Sequence, residues 1–174
     1  MSDSTVHLRH ATASDLDAVI ALERATECAP HWPPAAYSAI VDGSASNRRR
    51  RCLVVAQVGE SLVGFAVGLM HPAPDPDSEV RIAELESVVV ADSARRAGIG
   101  RALCGAVFDW CRAQGATEVV LEVRSSSVAA NALYTKLGFV QKGRRPRYYR
   151  DPEDDALAMC LEFDCHQART AARM

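Results

Sequence analysis

The run Arg95-Arg96-Ala97-Gly98-Ile99-Gly100 separates a strand-like segment, 82–90, from an apolar helical pattern that extends to about Gln114. The first amide groups of a helix have no acceptor within it, and the helix dipole adds partial positive charge there. Glycines at this point leave the backbone open to an anion, and the neighbouring arginines add positive charge. The turn therefore predicts a cradle for a pyrophosphate on a helix N-terminus.

By itself this turn is weakly specific. A glycine-rich connection between a strand and a helix can also be a closely packed turn with no ligand. No Gly-Lys-Ser/Thr follows it, as a Walker A loop requires, and the order G-x-G-x-x-G of dinucleotide-binding folds is absent. Other segments have to identify the ligand.

The segments around the turn predict an α/β fold. Strand-like runs are expected at 6–9, 52–58, 62–70, 82–90, 119–123, from Phe139 onward and at 156–163, with Gly59-Glu60 as a hairpin turn. Helical patterns are expected after a cap at Ser14, at 35–41, from the glycine turn to about 114, and at 128–137. Strands that first meander, then alternate with helices and end as a pair predict a mixed, mostly antiparallel central sheet with helices on both faces.

Composition indicates an ordinary globular protein. The 174 residues are 48% apolar and 24% charged, with a net charge of −2, which argues against a general nucleic-acid binder. We expect one domain over residues 1–165 and a flexible tail over 166–174. No apolar run approaches the ~18 residues of a membrane span, and the N-terminus has no signal-peptide core, so we expect no membrane partner and a cytoplasmic location.

Two further patterns bear on function, the cysteines and a basic run. The six cysteines contain no C-x-x-C pair, so no metal site is expected, and buried reduced thiols are predicted, with Cys104 and Cys111 on one helix face. The basic run 48–51 has two interpretations, a solvated loop before a strand or an attraction for an acidic partner.

Four segments together resemble the GNAT acetyltransferase family. They are 86–90 (ESVVV), 95–103 (RRAGIGRAL), 121–124 (LEVR) and 132–139 (ALYTKLGF), and their order and spacing match the family from about Val6 to Phe163. Within the family the chain is most similar to RimI-type N-terminal alanine acetyltransferases. That similarity depends on Glu23 with His31-Trp32-Pro33, on 121–124, and on the late segment 145–159.

The resemblance implies acetyl-CoA as the donor substrate and no metal. The residues that would bind the donor are Val88, Val89 and Val90 through their backbone, and Arg95, Arg96, Ala97, Gly98, Ile99, Gly100 and Arg101 around the pyrophosphate. RimI-type proteins usually have asparagine five residues after the catalytic base. This chain has Ser127 there and Asn131 one helical turn later, so either residue is a candidate contact for the donor.

The resemblance also implies Glu122 as general base and Tyr134 as general acid. Glu122 is a carboxylate within an apolar strand, and its alternative role is an ion pair with Arg124 or another cation. Tyr134 is alternatively a core aromatic residue. Because a phenol of pKa ~10 gives its proton to a thiolate of pKa ~8.5 only at a cost of about 2 kcal/mol, hydrogen bonding to the sulfur is its more plausible action. Glu84 and Glu86 are rival bases or acceptor contacts.

The acceptor is the open part of this interpretation. Trp32, Tyr37, Tyr148 and Tyr149 are candidate walls of the acceptor cleft, or simply packing residues. The acceptor is expected to be a protein N-terminal alanine, that of a ribosomal protein by resemblance. An α-amine of pKa about 7.7–8.0 is easier to deprotonate than lysine. The alternatives are a small-molecule amine as acceptor and a non-catalytic module that binds acyl-CoA; the oligomeric state is left open.

Overall fold

The computed structural model describes residues 5–27, 29–43, 50–73 and 75–163. The strands are β1 (Val6–His10), β2 (Arg50–Val58), β3 (Ser61–Met70), β4 (Ile82–Val90), β5 (Glu118–Arg124), β6 (Val140–Arg150) and β7 (Glu153–Glu162). The helices are α1 (Leu16–Arg24), α2 (Pro34–Val41), α3 (Ile99–Ala113) and α4 (Val128–Lys136), with 3-10 turns at Ala13–Asp15 and Asp92–Ala94.

The seven strands form one sheet in the order β1-β2-β3-β4-β5-β7-β6. Every neighbouring pair is antiparallel except β4 and β5, which run parallel. α3 and the apolar side of α4 pack on one face, and α1 and α2 pack on the other. The prediction of a mixed, mostly antiparallel sheet with helices on both faces is confirmed.

The parallel pair β4 and β5 is short. Its ladder joins Ile82 to Glu118, Ala83 to Val119 and Glu84 to Val120. Beyond that point the ladders of the described residues join β4 to β3 and β5 to β7. The two strands therefore separate toward their C-terminal ends, and we call the gap between 85–90 and 121–124 the wedge.

Two glycines of β3 bring α3 close to the sheet. A Cβ atom on Gly68 would lie 2.6 Å from Cγ1 of Val107, and one on Gly64 would lie 3.1 Å from Cδ1 of Leu103. Leu103 and Val107 are both fully buried and are one helical turn apart, so they occupy the space above the two glycines. The position of the N-terminal end of α3 depends on this close approach.

A bulge in β4 changes which residues face α3. Val67 pairs with Ser87 and Gly68 pairs with Leu85, so Glu86 is the extra residue. Before the bulge Leu85 belongs to the core under α3, whereas after it Val89 belongs to the core under α1 and α2. The bulge thereby keeps Glu86 out of both apolar cores.

The start of the first helical segment differs from the prediction. Ser14 lies inside the 3-10 turn instead of capping a helix, and the capping residue is Thr12. Asp15 accepts hydrogen bonds from the Thr12 backbone N–H at 2.7 Å and from the Arg9 guanidinium at 2.6 and 2.8 Å. These donors hold the pKa of the largely buried Asp15 carboxyl far below its usual range.

The structure describes four of the six cysteines and the second half of the basic run. Cys104 and Cys111 are buried together, as predicted, and Cys52 and Cys160 are also buried and free. Burial raises the pKa of Cys52, Cys104 and Cys111 to about 12. Cys28, Cys165, the tail 166–174 and Arg48-Arg49 lie outside the described residues. Arg50 and Arg51, the last two residues of the basic run, belong to β2, so the interpretation as a loop is wrong for them.

Within the described residues, no helix is long and apolar enough to cross a membrane.

Candidate active site

The glycine turn ends at the N-terminus of α3 with an unusual backbone. Arg96 has φ +64° and Gly98, the N-cap, has φ +77°. The N–H of Ala102 bonds to the carbonyl of Gly98 at 3.0 Å, so the N–H groups of residues 99–101 precede that first helical bond. Gly98 offers no side chain to cap them. The arrangement fits an anionic group such as a pyrophosphate.

The two glycines of the turn differ in their backbone conformation and in their neighbours. Gly98 is needed for its left-handed backbone, since a Cβ there would meet nothing within 4 Å. A Cβ on Gly100 would lie 3.4 Å from Leu133 of α4 and 3.8 Å from Val90. A Cβ at Gly100 would thus be in ordinary contact with both side chains, so packing between α3 and α4 does not require glycine there.

Arg95 has protein partners in the structure. It pairs with Asp92 at 2.8 Å, and its Nε donates to the carbonyl of Val90 at 3.3 Å. Arg95 thus ties the turn to the end of β4, and its contact with the donor stays a prediction. Arg101 lies in the first turn of α3 and is exposed, as is Arg96.

The end of β4 forms one side of the wedge. The side chains of Val88 and Val90 pack toward α3, and Val89 is buried in the core under α1 and α2. Their side chains are therefore committed to packing. A ligand in the wedge would meet the backbone of this strand, which is the type of contact expected for the donor.

Glu122 lies on β5, at the other side of the wedge. Leu121 and Val123 face the core under α3, so Glu122 faces the opposite side of the sheet, with its side chain 28% exposed. Its Oε1 is 3.1 Å from the guanidinium of Arg145, and the nearby Glu122 raises the pKa of Tyr148.

Arg124, the first alternative partner of Glu122, interacts elsewhere. Its guanidinium lies 4.1 Å from the ring centroid of Tyr149 and donates to the carbonyls of Asp151 and Pro152. The ion pair of Glu122 is instead made by Arg145 of β6, a partner that the sequence reasoning missed.

Tyr134 lies in α4 and packs against Phe139, with ring centroids 5.8 Å apart. Burial raises the pKa of its phenol, and the neighbouring Cys104 and Tyr149 raise it further. Glu122 in turn contributes to the raised pKa of Tyr149. Tyr149 thus lies in the electrostatic surroundings of both Glu122 and Tyr134.

The family comparison can now be set beside this geometry. A model described as "Acetyltransferase (GNAT) family" matches residues 18–139. The chain belongs to the GNAT acetyltransferase family. It is 37% identical over 128 residues to the N-alpha-acetyltransferase RimI of Mycobacterium tuberculosis, which covers 74% of this chain and 73% of that protein.

Two further similarities define the relatives. An uncharacterized protein of Mycobacterium leprae is 34% identical over 131 residues, 75% of this chain, and the match spans only 33% of that longer protein. The crystal structure of the ribosomal-protein-S18-alanine N-acetyltransferase of Escherichia coli has a TM-score of 0.70 and 26% identity, covering 91% of this chain and 94% of that one. The resemblance to GNAT proteins of RimI type is confirmed.

The two candidates for the contact expected of one asparagine both follow β5. Ser127 is the N-cap of α4, and its side chain makes no capping hydrogen bond. Asn131 donates through Nδ2 to the carbonyls of Arg124 and Ser125, at 3.2 and 3.1 Å. Its Oδ1 is buried with no hydrogen-bond partner in the described structure. Asn131 therefore holds the end of β5 and keeps one acceptor atom unused.

The rival bases are both engaged. Glu86 receives two hydrogen bonds from Arg51, at 2.7 and 2.9 Å, and Glu84 is 2.8 Å from Nε2 of His71. Arg51 also lies 5.9 Å from the ring centroid of Trp32, which brings this tryptophan to the same face of the sheet.

Trp32 and Tyr37 have unequal positions. Trp32 is half-buried, whereas Tyr37 is fully buried between Trp32 and Phe65. Tyr37 therefore packs behind Trp32, which agrees with the packing alternative for this residue. Tyr148 is 47% exposed, and Tyr149 is half-buried against it, with ring centroids 5.2 Å apart.

The fully buried Glu23 fixes Trp32. Its Oε1 accepts a hydrogen bond from the backbone N–H of Trp32 at 2.9 Å, while Arg24 donates to the Trp32 carbonyl at 2.9 Å. Burial, followed by the nearby Glu23, raises the pKa of Tyr37. The only sequence signal for this arrangement was the pairing of Glu23 with the His-Trp-Pro segment.

Proposed function

We propose that this chain is an acetyl-CoA-dependent N-acetyltransferase of RimI type that acts on a protein N-terminal α-amine. The observation that carries the proposal is the wedge. A glycine-capped helix N-terminus lies behind the end of β4, and Glu122 lies across the gap on β5. An anion site and a carboxylate on the two sides of one opening suit a transfer reaction between two bound substrates.

The donor half is built from backbone. The N–H groups at residues 99–101 would hold the pyrophosphate, the strand edge of Val88–Val90 would hold the pantetheine arm, and Arg96 and Arg101 would add positive charge. Acetyl-CoA supplies an acetyl group already activated as a thioester. We favour Asn131 over Ser127 as the additional contact with acetyl-CoA. The Oδ1 atom of Asn131 is buried and accepts no hydrogen bond, and an unpaired buried acceptor is costly unless a ligand donates to it.

The acceptor half needs a neutral amine. Glu122 would take the proton from the acceptor nitrogen, directly or through a water molecule, as that nitrogen attacks the acetyl carbonyl. Tyr134 keeps its proton well above neutral pH because burial raises its pKa. It would therefore stabilise the departing sulfur as a hydrogen-bond donor and transfer its proton late. Glu86 is less suited as the base because Arg51, only 26% exposed, bonds both of its oxygens. Glu122 is also paired, but its partner Arg145 is 61% exposed and contacts one oxygen. Glu84, beside His71, stays a rival candidate.

The first experiment separates the acceptor classes. An alanine-leading peptide and a panel of small amines would be supplied with acetyl-CoA while released thiol is measured. We expect turnover with the peptide, and turnover on small amines alone would refute the N-terminal assignment in favour of the second candidate. Binding of acetyl-CoA with no turnover on any amine would support a non-catalytic module.

A second experiment tests the two residues. Glu122→Gln is expected to lower kcat by roughly 10²–10⁴-fold, the usual contribution of a positioned base. Tyr134→Phe should lower kcat with little change in the KM for acetyl-CoA. An unchanged rate for Glu122→Gln across pH 7–9 would exclude it as the base. The ribosomal-protein acceptor, the domain bounds 1–165 and the cytoplasmic location stay predictions.

A further inference from the structure

The acceptor side of the sheet carries Glu84, Glu86 and Glu122, and each of them lies beside a basic side chain. Glu122 lies two residues beyond Val120, which is the register partner of Glu84, so the two glutamates share a face. Arg51 pairs with Leu69, which pairs with Glu84, so Arg51 lies on that face, and its two hydrogen bonds to Glu86 place Glu86 there too. The basic partners come from different elements: His71 follows β3, Arg51 lies in β2 and Arg145 lies in β6.

The two arginine pairs leave little unpaired negative charge at Glu86 and Glu122 for a polycationic acceptor. An enzyme that binds polyamines gains affinity from unpaired carboxylates, because each ammonium then finds an opposite charge. Here Glu86 and Glu122 already lie within 3.1 Å of an arginine.

Arg145 is more exposed than the other two basic partners. Its side chain is 61% exposed, against 26% for Arg51, and it lies 5.5 Å from the ring centroid of the exposed Tyr148. It therefore stands at the solvent side of Glu122. An acceptor nitrogen within about 3 Å of Glu122, the reach of a general base, would lie within roughly 6 Å of the Arg145 guanidinium.

We propose that Arg145 determines acceptor specificity by charge: it favours amines that carry no second positive charge near the reacting nitrogen. The inference rests on the proposed function and narrows its acceptor class to monoamines, such as the α-amine of a peptide. A nearby second ammonium is repelled by the guanidinium, whereas a neutral amine is not. Because the site is partly exposed, solvent and salt reduce this repulsion, and the expected selectivity is about five- to tenfold.

The test compares a monoamine with a diamine of the same length. Propylamine and 1,3-diaminopropane would be assayed beside an alanine-leading peptide, with the full chain, acetyl-CoA and the variants Arg145→Gln and Arg145→Lys. The readout is the ratio of kcat/KM for the monoamine to that for the diamine, in which losses common to both acceptors cancel. Arg147→Gln is the matched control, since Arg147 lies on the same hairpin, is exposed, and bonds to Asp155 through its backbone N–H.

We expect Arg145→Gln to lower that ratio about five- to tenfold, Arg145→Lys to restore most of it, and Arg147→Gln to leave it unchanged. A ratio that Arg145→Gln does not change, or a shift that Arg147→Gln reproduces, would overturn the inference even if the peptide is acetylated. Wild-type protein that acetylates none of the three amines would overturn the proposed function itself. Circular dichroism melting of each variant verifies that the fold is retained.

Discussion

Replacing Gly68 by alanine tests the packing that positions α3. The added Cβ would lie 2.6 Å from Cγ1 of Val107 and 3.1 Å from Sγ of Cys52, and both residues are buried. Carbon atoms pack at about 3.5–4.0 Å, so the helix or the strand has to move by about 1 Å. Such overpacking costs about 1–3 kcal/mol, while the stiffer unfolded chain returns about 0.4–1 kcal/mol. The net loss of unfolding free energy should be about 1–2 kcal/mol.

Urea unfolding followed by circular dichroism measures this loss, and Gly105→Ala is the matched control. Gly105 lies in α3, and a Cβ there would meet nothing within 4 Å. Alanine should therefore stabilise the helix by up to about 1 kcal/mol. We also expect Gly68→Ala to raise the KM for acetyl-CoA, because the displaced helix carries the anion cradle. A Gly68→Ala protein as stable as wild type, or a Gly105→Ala protein equally destabilised, would refute the packing argument.

Three other changes have calculable outcomes. Glu23→Ala should lower the free energy of unfolding in urea by about 2–3 kcal/mol, because the part-buried backbone N–H of Trp32 loses its acceptor. Glu23→Gln, which keeps an acceptor, should lower it less. Gly98→Ala should lower the melting temperature by ~2–8 °C, because the left-handed φ of +77° is strained for alanine although its Cβ has room. An unchanged melting temperature would contradict this. Arg9 and Thr12 depress the pKa of Asp15 in the folded state, so the unfolded chain binds more protons in acid. The stabilisation is complete above the unfolded pKa of about 3.9 and is lost as pH falls below it. Urea midpoints from pH 7 to 3 should fall less steeply for Asp15→Asn, and parallel curves would count against the ion pair.

Local patterns predicted most of the fold because each had a single physical cause. Alternating apolar residues marked the central strands, and Gly115 and Gly138 have the positive φ expected where a helix ends. The buried face shared by Cys104 and Cys111 followed from helical spacing alone. Glu122 was recognisable because a carboxylate within an apolar strand has to face away from the core.

What the sequence did not predict depends on contacts between distant segments. The pairing of Arg145 with Glu122 requires the hairpin of β6 and β7 to lie beside β5, and no local pattern encodes that distance. The buried position of Tyr37 follows from Phe65 behind it, on a strand far along the chain. The bulge at Glu86 reverses the alternation within β4, so the faces of its last residues could not be read from period alone.

The separation of β4 and β5 has an evolutionary consequence. If the main chain at Val88–Val90 and the amide groups at the start of α3 hold the donor, as proposed, its binding would not depend on side-chain identity there. Substitution among β-branched apolar residues in this segment should then be nearly neutral for donor affinity, provided the core stays filled. Selection on the acceptor side would act on side chains such as Arg145 and Tyr148, so related chains could diverge in what they modify and still use a common donor.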